Sequence, residues 1–149
     1  MTTIGKTAII ADGEVRQQVA ALPYRRRNGS LRVLLVTSRE TRRWVLPKGW
    51  PMRGRKPHQA AAREAWEEAG AVGRADKRPV GAYVYQKRLS GGASVPCAVT
   101  VFPLVVKRLA GRWPEGDERE RRWALPEEAA DLVEEPDLAA LLRAFGAEA

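Results

Sequence analysis

The sequence has one cysteine, Cys97, and one histidine, His58. A lone cysteine has no partner for an internal disulfide, and the apolar neighbours Val95, Ala98 and Val99 mark it as a small buried hydrophobe. A single histidine excludes a His-rich metal site and any Ser-His-Asp triad built around a second one. Long apolar runs are also missing: no stretch approaches the ~18–20 residues of a membrane span. The first residues, MTTIGKTAIIADGEV, lack the apolar core of roughly 7–15 residues that a secretory signal needs. A cytoplasmic setting with no membrane partner is therefore expected. Acidic residues are scarce in residues 1–90, which carry 19 Lys and Arg against 7 Asp and Glu. Residues 91–149 reverse the balance, with 7 against 11. A basic face suits either a polyanionic partner or a solvated surface. No helix-turn-helix, zinc or RNP-type aromatic pattern accompanies it, so nucleic acid is not the expected partner.

What is present is a chain of 149 residues, 44% hydrophobic and 30% charged, enough for one soluble domain with a real core. Residues 1–16 read as a lead-in. Residues 17–25 are expected to form a strand that runs into a basic edge. LRVLLVTS (31–38) is an unbroken apolar run typical of a buried strand. SRETRR (38–43) is a basic loop, and WVLP (44–47) a short strand stopped by proline. KGWPMRGRKP (48–57) is a Gly/Pro loop with four basic side chains. An alanine-rich helix follows, with Pro57 in its first turn and Gly70 at its C-terminal cap. Residues 80–88 and 95–109 read as strands, the second interrupted at Pro103. GRWPEGDERER (111–121) is a charged loop. PEEAADLVEE and PDLAALLRAFG read as two closing helices. The expected fold is an α/β domain.

The helix AAAREAWEEAGA, residues 60–71, places Glu64, Glu67 and Glu68 at i, i+3 and i+4, on one face about 5–6 Å apart at Cβ. Ala61, Ala65 and Ala69 form the opposite face, small enough to pack closely on a sheet. Three carboxylates on one face mean either a solvated acidic stripe or a bound cation, and Mg²⁺ and Mn²⁺ prefer such oxygen ligands. From the spacing alone the solvated stripe is the commoner case. The preceding loop adds Gly49, where backbone can approach a ligand, and the basic side chains of Lys48, Arg53, Arg55 and Lys56. A divalent metal beside Lys and Arg suits a phosphate-bearing ligand.

Gly49 together with Arg63-Glu64-Ala65-Trp66-Glu67-Glu68-Ala69-Gly70-Ala71 resembles the Nudix box, G-x5-E-x7-R-E-U-x-E-E-x-G-U, where U is apolar. The spacing from Gly49 to Arg63 fits without a gap. The resemblance extends over residues 17–146, taken as a single Nudix domain, and implies an α/β/α sandwich around a mixed central sheet. One position departs: the first glutamate of the box falls on Arg55. In the family that glutamate pairs with the box arginine, here Arg63, and two arginines form no such pair.

The resemblance implies hydrolysis of a diphosphate bond with Mg²⁺ or Mn²⁺. Gly49, Glu64, Glu67 and Glu68 would hold the metal, Glu64 or Glu67 would act as base toward water, and Arg63 would orient the carboxylates. A later loop often adds a carboxylate, for which Glu115, Asp117, Glu118 and Glu120 are candidates. Within the family, LPYRRRNGSLRVLLVTSRETRRWVLPKGWPM and RWPEGDERERRWALPEEA look most like the diphosphoinositol polyphosphate and diadenosine polyphosphate hydrolases. Highly phosphorylated substrates need several cations, and arginine suits bidentate phosphate contacts. Arg25, Arg27, Arg39, Arg43, Lys48 and Arg53 are the expected substrate-binding residues. Alternatives are a Nudix enzyme for another nucleoside diphosphate derivative, such as ADP-ribose or a nucleotide sugar, and an inactive Nudix sensor or nucleic-acid-binding domain. A monomer or homodimer is expected.

Overall fold

A computed structural model describes the backbone of residues 8–10 and 13–148, with side chains from Val15 onward. Nine strands and three helices are formed among these residues. The strands are β1 (Ala8–Ile10), β2 (Gly13–Arg27), β3 (Ser30–Thr37), β4 (Trp44–Val45) and β5 (Lys48–Gly49), then β6 (Ala71–Ala75), β7 (Gly81–Arg88), β8 (Ser94–Leu109) and β9 (Arg121–Ala124). The helices are α1 (Pro57–Ala69), α2 (Pro126–Leu132) and α3 (Pro136–Ala147). The lead-in expected over residues 1–16 falls partly outside the described residues. Within them, β1 pairs antiparallel with the start of β2, which is longer than the strand expected at 17–25.

The sheet is mixed. β2 and β8 run parallel from Arg16 against Cys97 to Tyr24 against Val105. All other pairings are antiparallel, with β3, β4 and β9 on one side of β2 and β6 and β7 on the far side of β8. β2 and β3 join through Asn28 and Gly29, with φ of 53° and 78°. Asn-Gly is the dipeptide that such a two-residue turn favours, because both positions require positive φ.

Side-chain alternation sorts the core into two layers. Ala20, Leu22, Val33 and Leu35 face α2 and α3 with Leu138 and Leu142. Val19, Ala21, Leu34 and Val36 face α1 with Ala60, Ala61, Ala65 and Ala69. All four of those helix alanines are fully buried, so α1 lies close on the sheet. The result is the expected α/β/α sandwich.

Three local expectations change. β8 runs through Pro103 unbroken. The Pro103 carbonyl accepts from the Asp76 amide at 2.9 Å, so its missing N–H faces the gap where β8 passes from pairing with β7 to pairing with β6. β6 and β9 are strands that the sequence reading left as connections. The helix expected over 126–135 ends at Leu132, where Val133 adopts an extended conformation.

Candidate active site

The acidic face of α1 meets the sheet at β5. β5 pairs with the middle of β2, Val19 against Gly49 and Ala20 against Lys48, which fixes the backbone beside the helix. A Cβ built on Gly49 would collide with the Glu64 carboxylate, so that carboxylate lies directly on the glycine backbone. The Lys48 amide donates to Glu68 Oε1 at 3.2 Å. A side chain at position 49 would have to push the Glu64 carboxylate off the strand, so glycine there keeps that carboxylate in place.

A single loop, residues 110–121, completes the wall. Helix ends leave their last carbonyls without intrahelical partners. Here the carbonyl of Glu67 accepts from the Glu115 amide at 3.0 Å, and that of Gly70 from the Ala110 amide at 2.9 Å. The carbonyl of Glu68 accepts from Trp113 Nε1, and that of Ala69 from Arg121 Nη1, each at 2.9 Å. The Arg121 guanidinium stacks on Trp113 with 3.9 Å to the ring centre. Gly70 has φ of 65° and Trp113 ring carbons only 3.0 Å from where a Cβ would stand. The helix end and the loop are thus locked to each other.

The lock delivers Glu115 and Arg119 to the glutamates. The Arg119 side chain is 8% exposed: its Nε donates to Glu115 Oε1 at 2.7 Å, and its Nη2 lies 3.5 Å from Glu68 Oε2. Its Nη1 also holds the Thr37 carbonyl at 3.0 Å. Burial pushes Glu68 up, while Arg119 and Lys48 oppose that shift. Glu64 has no such cation. Burial first, then facing Glu68 and Glu67, hold its carboxyl up to about 8. The Lys48 ammonium sits 4.8 Å from the ring centre of Tyr85, and burial pushes it down to about 8. Tyr85 in turn donates its hydroxyl proton to Gln18 Oε1 at 2.7 Å.

These groups line a cleft of about 730 Å³. Glu64, Glu68, Gly49, Lys48, Arg39 and Arg43 line it, joined by Glu115, Arg119, Lys87, Arg88 and Trp50. Arg39 is paired with Glu118 at 3.1 Å, and Arg43 with Glu135 at 2.9 Å. Arg119, Lys87 and Arg88 are cleft residues that the sequence did not single out. Arg119 stands four residues after Glu115, and that spacing was its available signal.

Other expected residues stand elsewhere. Glu67 is turned to the rim, where its Oε2 accepts from Arg63 Nε at 2.7 Å. Arg55 is exposed, and no ion pair involves it among the described residues. Arg53 is exposed outside the cleft lining. Arg25 and Arg27, expected to bind substrate, lie instead in a second pocket, because the long β2 carries them to the hairpin end of the sheet. Glu120 pairs with Arg42 at 2.9 Å, and Asp117 does not line the cleft.

Among the described residues, no group of three or more His, Cys, Asp and Glu side chains is arranged to hold a metal ion. The donor chemistry nevertheless fits a hard divalent cation: two facing carboxylates on a glycine backbone, one of them without a counter-ion. Two carboxylates that share a site ionise together only with added positive charge.

A family model described as NUDIX domain matches residues 15–145. Nudix hydrolase 13, mitochondrial, from Arabidopsis thaliana is 36% identical over 110 residues, covering 68% of this chain and 53% of that protein. Nudix hydrolase 4 from the same plant is 31% identical over 138 residues, covering 87% and 65%. The chain thus spans between about half and two thirds of the length of these curated relatives. Among solved structures, a Caenorhabditis elegans Ap4A hydrolase aligns with a TM-score of 0.63 at 22% identity, covering 89% of this chain and 97% of that one. The NUDIX domain of Shewanella oneidensis NrtR complexed with ADP ribose aligns with a TM-score of 0.63 at 15% identity, covering 87% and 86%. No helix among the described residues is long and apolar enough to cross a membrane.

Proposed function

The chain belongs to the Nudix family, and we propose that it hydrolyses a diphosphate bond in a highly phosphorylated small molecule, a diadenosine polyphosphate or a diphosphoinositol polyphosphate. The observation that carries this reading is the cleft, whose lining holds Glu64 and Glu68 together with Lys48, Arg39, Arg43, Lys87 and Arg88. Carboxylates and cationic side chains in one cleft suit a divalent cation and several phosphates.

Glu64, Glu68 and the Gly49 backbone would hold Mg²⁺ or Mn²⁺, which when bound supplies Lewis-acid polarisation of phosphate oxygens and a more acidic water. The protein's own groups do the rest. Lys48 and the rim arginines orient the phosphate chain by charge. Glu64 is the candidate base toward water, a role open to it only as the carboxylate, which the positive charge of a bound cation would favour. Arg119 fixes Glu68 and Glu115. Arg63 and Glu67 act from the rim, Arg63 holding the Glu67 carboxylate in one orientation. A cytoplasmic monomer or homodimer belongs to the same proposal.

A second reading, hydrolysis of a nucleoside diphosphate derivative such as ADP-ribose, is favoured by Trp50. This ring is 42% exposed at the cleft, with the Lys87 ammonium 5.7 Å from its centre, and offers an aromatic face to a base.

The test is product release from diadenosine polyphosphates, inositol pyrophosphates, ADP-ribose, nucleotide sugars and nucleoside triphosphates. Each is run with Mg²⁺, Mn²⁺ or EDTA, for wild type and Glu68→Gln. Metal-dependent cleavage of the longest polyphosphates, lost in Glu68→Gln, is the expected result. Preference for ADP-ribose would select the second reading. No turnover with either metal would overturn both in favour of a binding-only domain.

A further inference from the structure

A second concave site lies at the opposite end of β2 and β3. Arg25, Arg27, Asn28, Ser30, Arg32 and Trp123 line a pocket of about 270 Å³ there. The hairpin register explains the grouping. Arg25 and Arg32 are direct cross-strand partners, and Arg27 follows Arg25 by two residues, on the same face. Trp123 stands opposite Leu34, two residues along β3 from Arg32, so it shares that face as well.

Like charges placed directly across a strand pair repel. Three arginines on one face therefore call for compensating negative charge. None is supplied by the pocket, whose lining contains no Asp or Glu. Among the described residues, none of the three forms an ion pair. Arg25 is held rigidly, its guanidinium 4.0 Å from the Trp123 ring centre. Its Nε is buried and donates to no protein acceptor. Burial first, then Arg27 and Arg32, push its guanidinium below its ordinary range. Three of the four cleft arginines contrast with this: Arg39, Arg43 and Arg119 each have a carboxylate partner, and Arg88 has none among the described residues.

We propose that Arg25, Arg27 and Arg32, backed by Trp123, form a second anion-binding site that takes a phosphate or short polyphosphate, separate from the cleft. The stacked Arg25 supplies a fixed fork, and exposed Arg27 and Arg32 close on the anion from the hairpin. The pocket's size suits one or a few phosphoryl groups. Arg32 and Ser38, which lines the cleft, are separated by nearly the whole of β3, roughly 20 Å at the rise of an extended strand. One diphosphate therefore cannot occupy both sites. The site stands whatever the cleft hydrolyses.

The probe is inorganic tripolyphosphate, titrated in EDTA so that metal-dependent binding in the cleft is suppressed. Indole and amide resonances are followed in wild type and in the Arg27→Gln/Arg32→Gln double variant, whose two side chains are exposed. The expected result is a shift of the Trp123 indole and the Gly29 and Ser30 amides, with affinity falling about tenfold or more in the double variant. Arg25→Lys, which keeps the charge and loses the fork, should weaken binding as well. Shifts confined to Trp50 and the cleft, or equal affinity in the double variant, would overturn the site. A mixed-sequence oligonucleotide is the comparison. Much tighter binding of it through the same arginines, with a steep salt dependence, would overturn the small-anion assignment in favour of nucleic acid.

Discussion

The cleft and the hairpin pocket are both rich in arginine, and they differ in what folding brings beside it. In the cleft, Arg39 meets Glu118, Arg43 meets Glu134 and Glu135, and Arg119 meets Glu115 and Glu68. Most of those carboxylates come from the acidic last third of the chain. The hairpin arginines come from the same basic stretch and receive no such partner among the described residues. The charge imbalance visible along the sequence is therefore not a map of surface potential. Four late acidic residues, Glu115, Glu118, Glu134 and Glu135, pair with cleft arginines, and the hairpin end keeps uncompensated charge among the described residues.

Four changes test that contrast. Glu68→Gln should have the largest effect, removing the carboxylate that joins Lys48, Arg119 and the proposed cation. A fall in kcat of about 10²–10⁴-fold is expected, as for a positioned catalytic carboxylate, with the fold unchanged by circular dichroism. Arg119→Ala should act on stability instead. It leaves Glu68 and Glu115 without their buried partner, at a cost of about 3–5 kcal/mol measured by urea unfolding. Adding Glu68→Gln to that variant should recover part of the loss.

Metal and pH give the third test. The Glu64 carboxyl is raised to about 8, so the folded protein holds a proton there that the unfolded chain gives up near its ordinary range. That contribution to stability is fully present below the unfolded value and is lost as pH rises toward 8. The melting temperature in EDTA should fall across that window. Mg²⁺ should restore it, with a gain that grows with pH, and Glu64→Gln should flatten both trends. Lys48, pushed down to about 8, acts in the opposite sense above that pH, which is why the variant is needed as a control. The smallest effect is expected from Glu118→Gln. Its bond to Arg39 is exposed, and such pairs contribute about 0–1 kcal/mol. Freeing Arg39 should lower KM for a polyphosphate substrate by at most about fivefold and leave kcat unchanged.

Much of the fold was legible because it depends on local pattern. The apolar run of β3, the alanine face of α1 and the Pro57 and Gly70 boundaries all carry their reason within a few residues. β6 and β9 do not: they are five and four residues long, and become strands only by pairing with β8 and β3. In the site, the spacing of Glu64 and Glu68 was readable, since a helix fixes it. The Arg63–Glu67 pair was readable for the same reason, since residues four apart on a helix meet. Arg119 looked like one loop charge among many: its spacing to Glu115 was visible, but its contacts with Glu68 and the Thr37 carbonyl reach α1 and β3. Arg25 and Arg27 were expected at the substrate from their charge and from the resemblance of their stretch, and the length of β2 carries them to the hairpin end instead.

The four donors that close the C-terminal end of α1 carry a kinetic consequence. A charged surface loop ordinarily opens on its own and exchanges its amide protons quickly. Here the Ala110 and Glu115 amides are bonded to the helix itself. Their protons can leave only when the loop parts from the end of α1, so in deuterated solvent these two amides should exchange far more slowly than those of a free surface loop. The wall of the cleft is tied by its backbone to the helix beneath it.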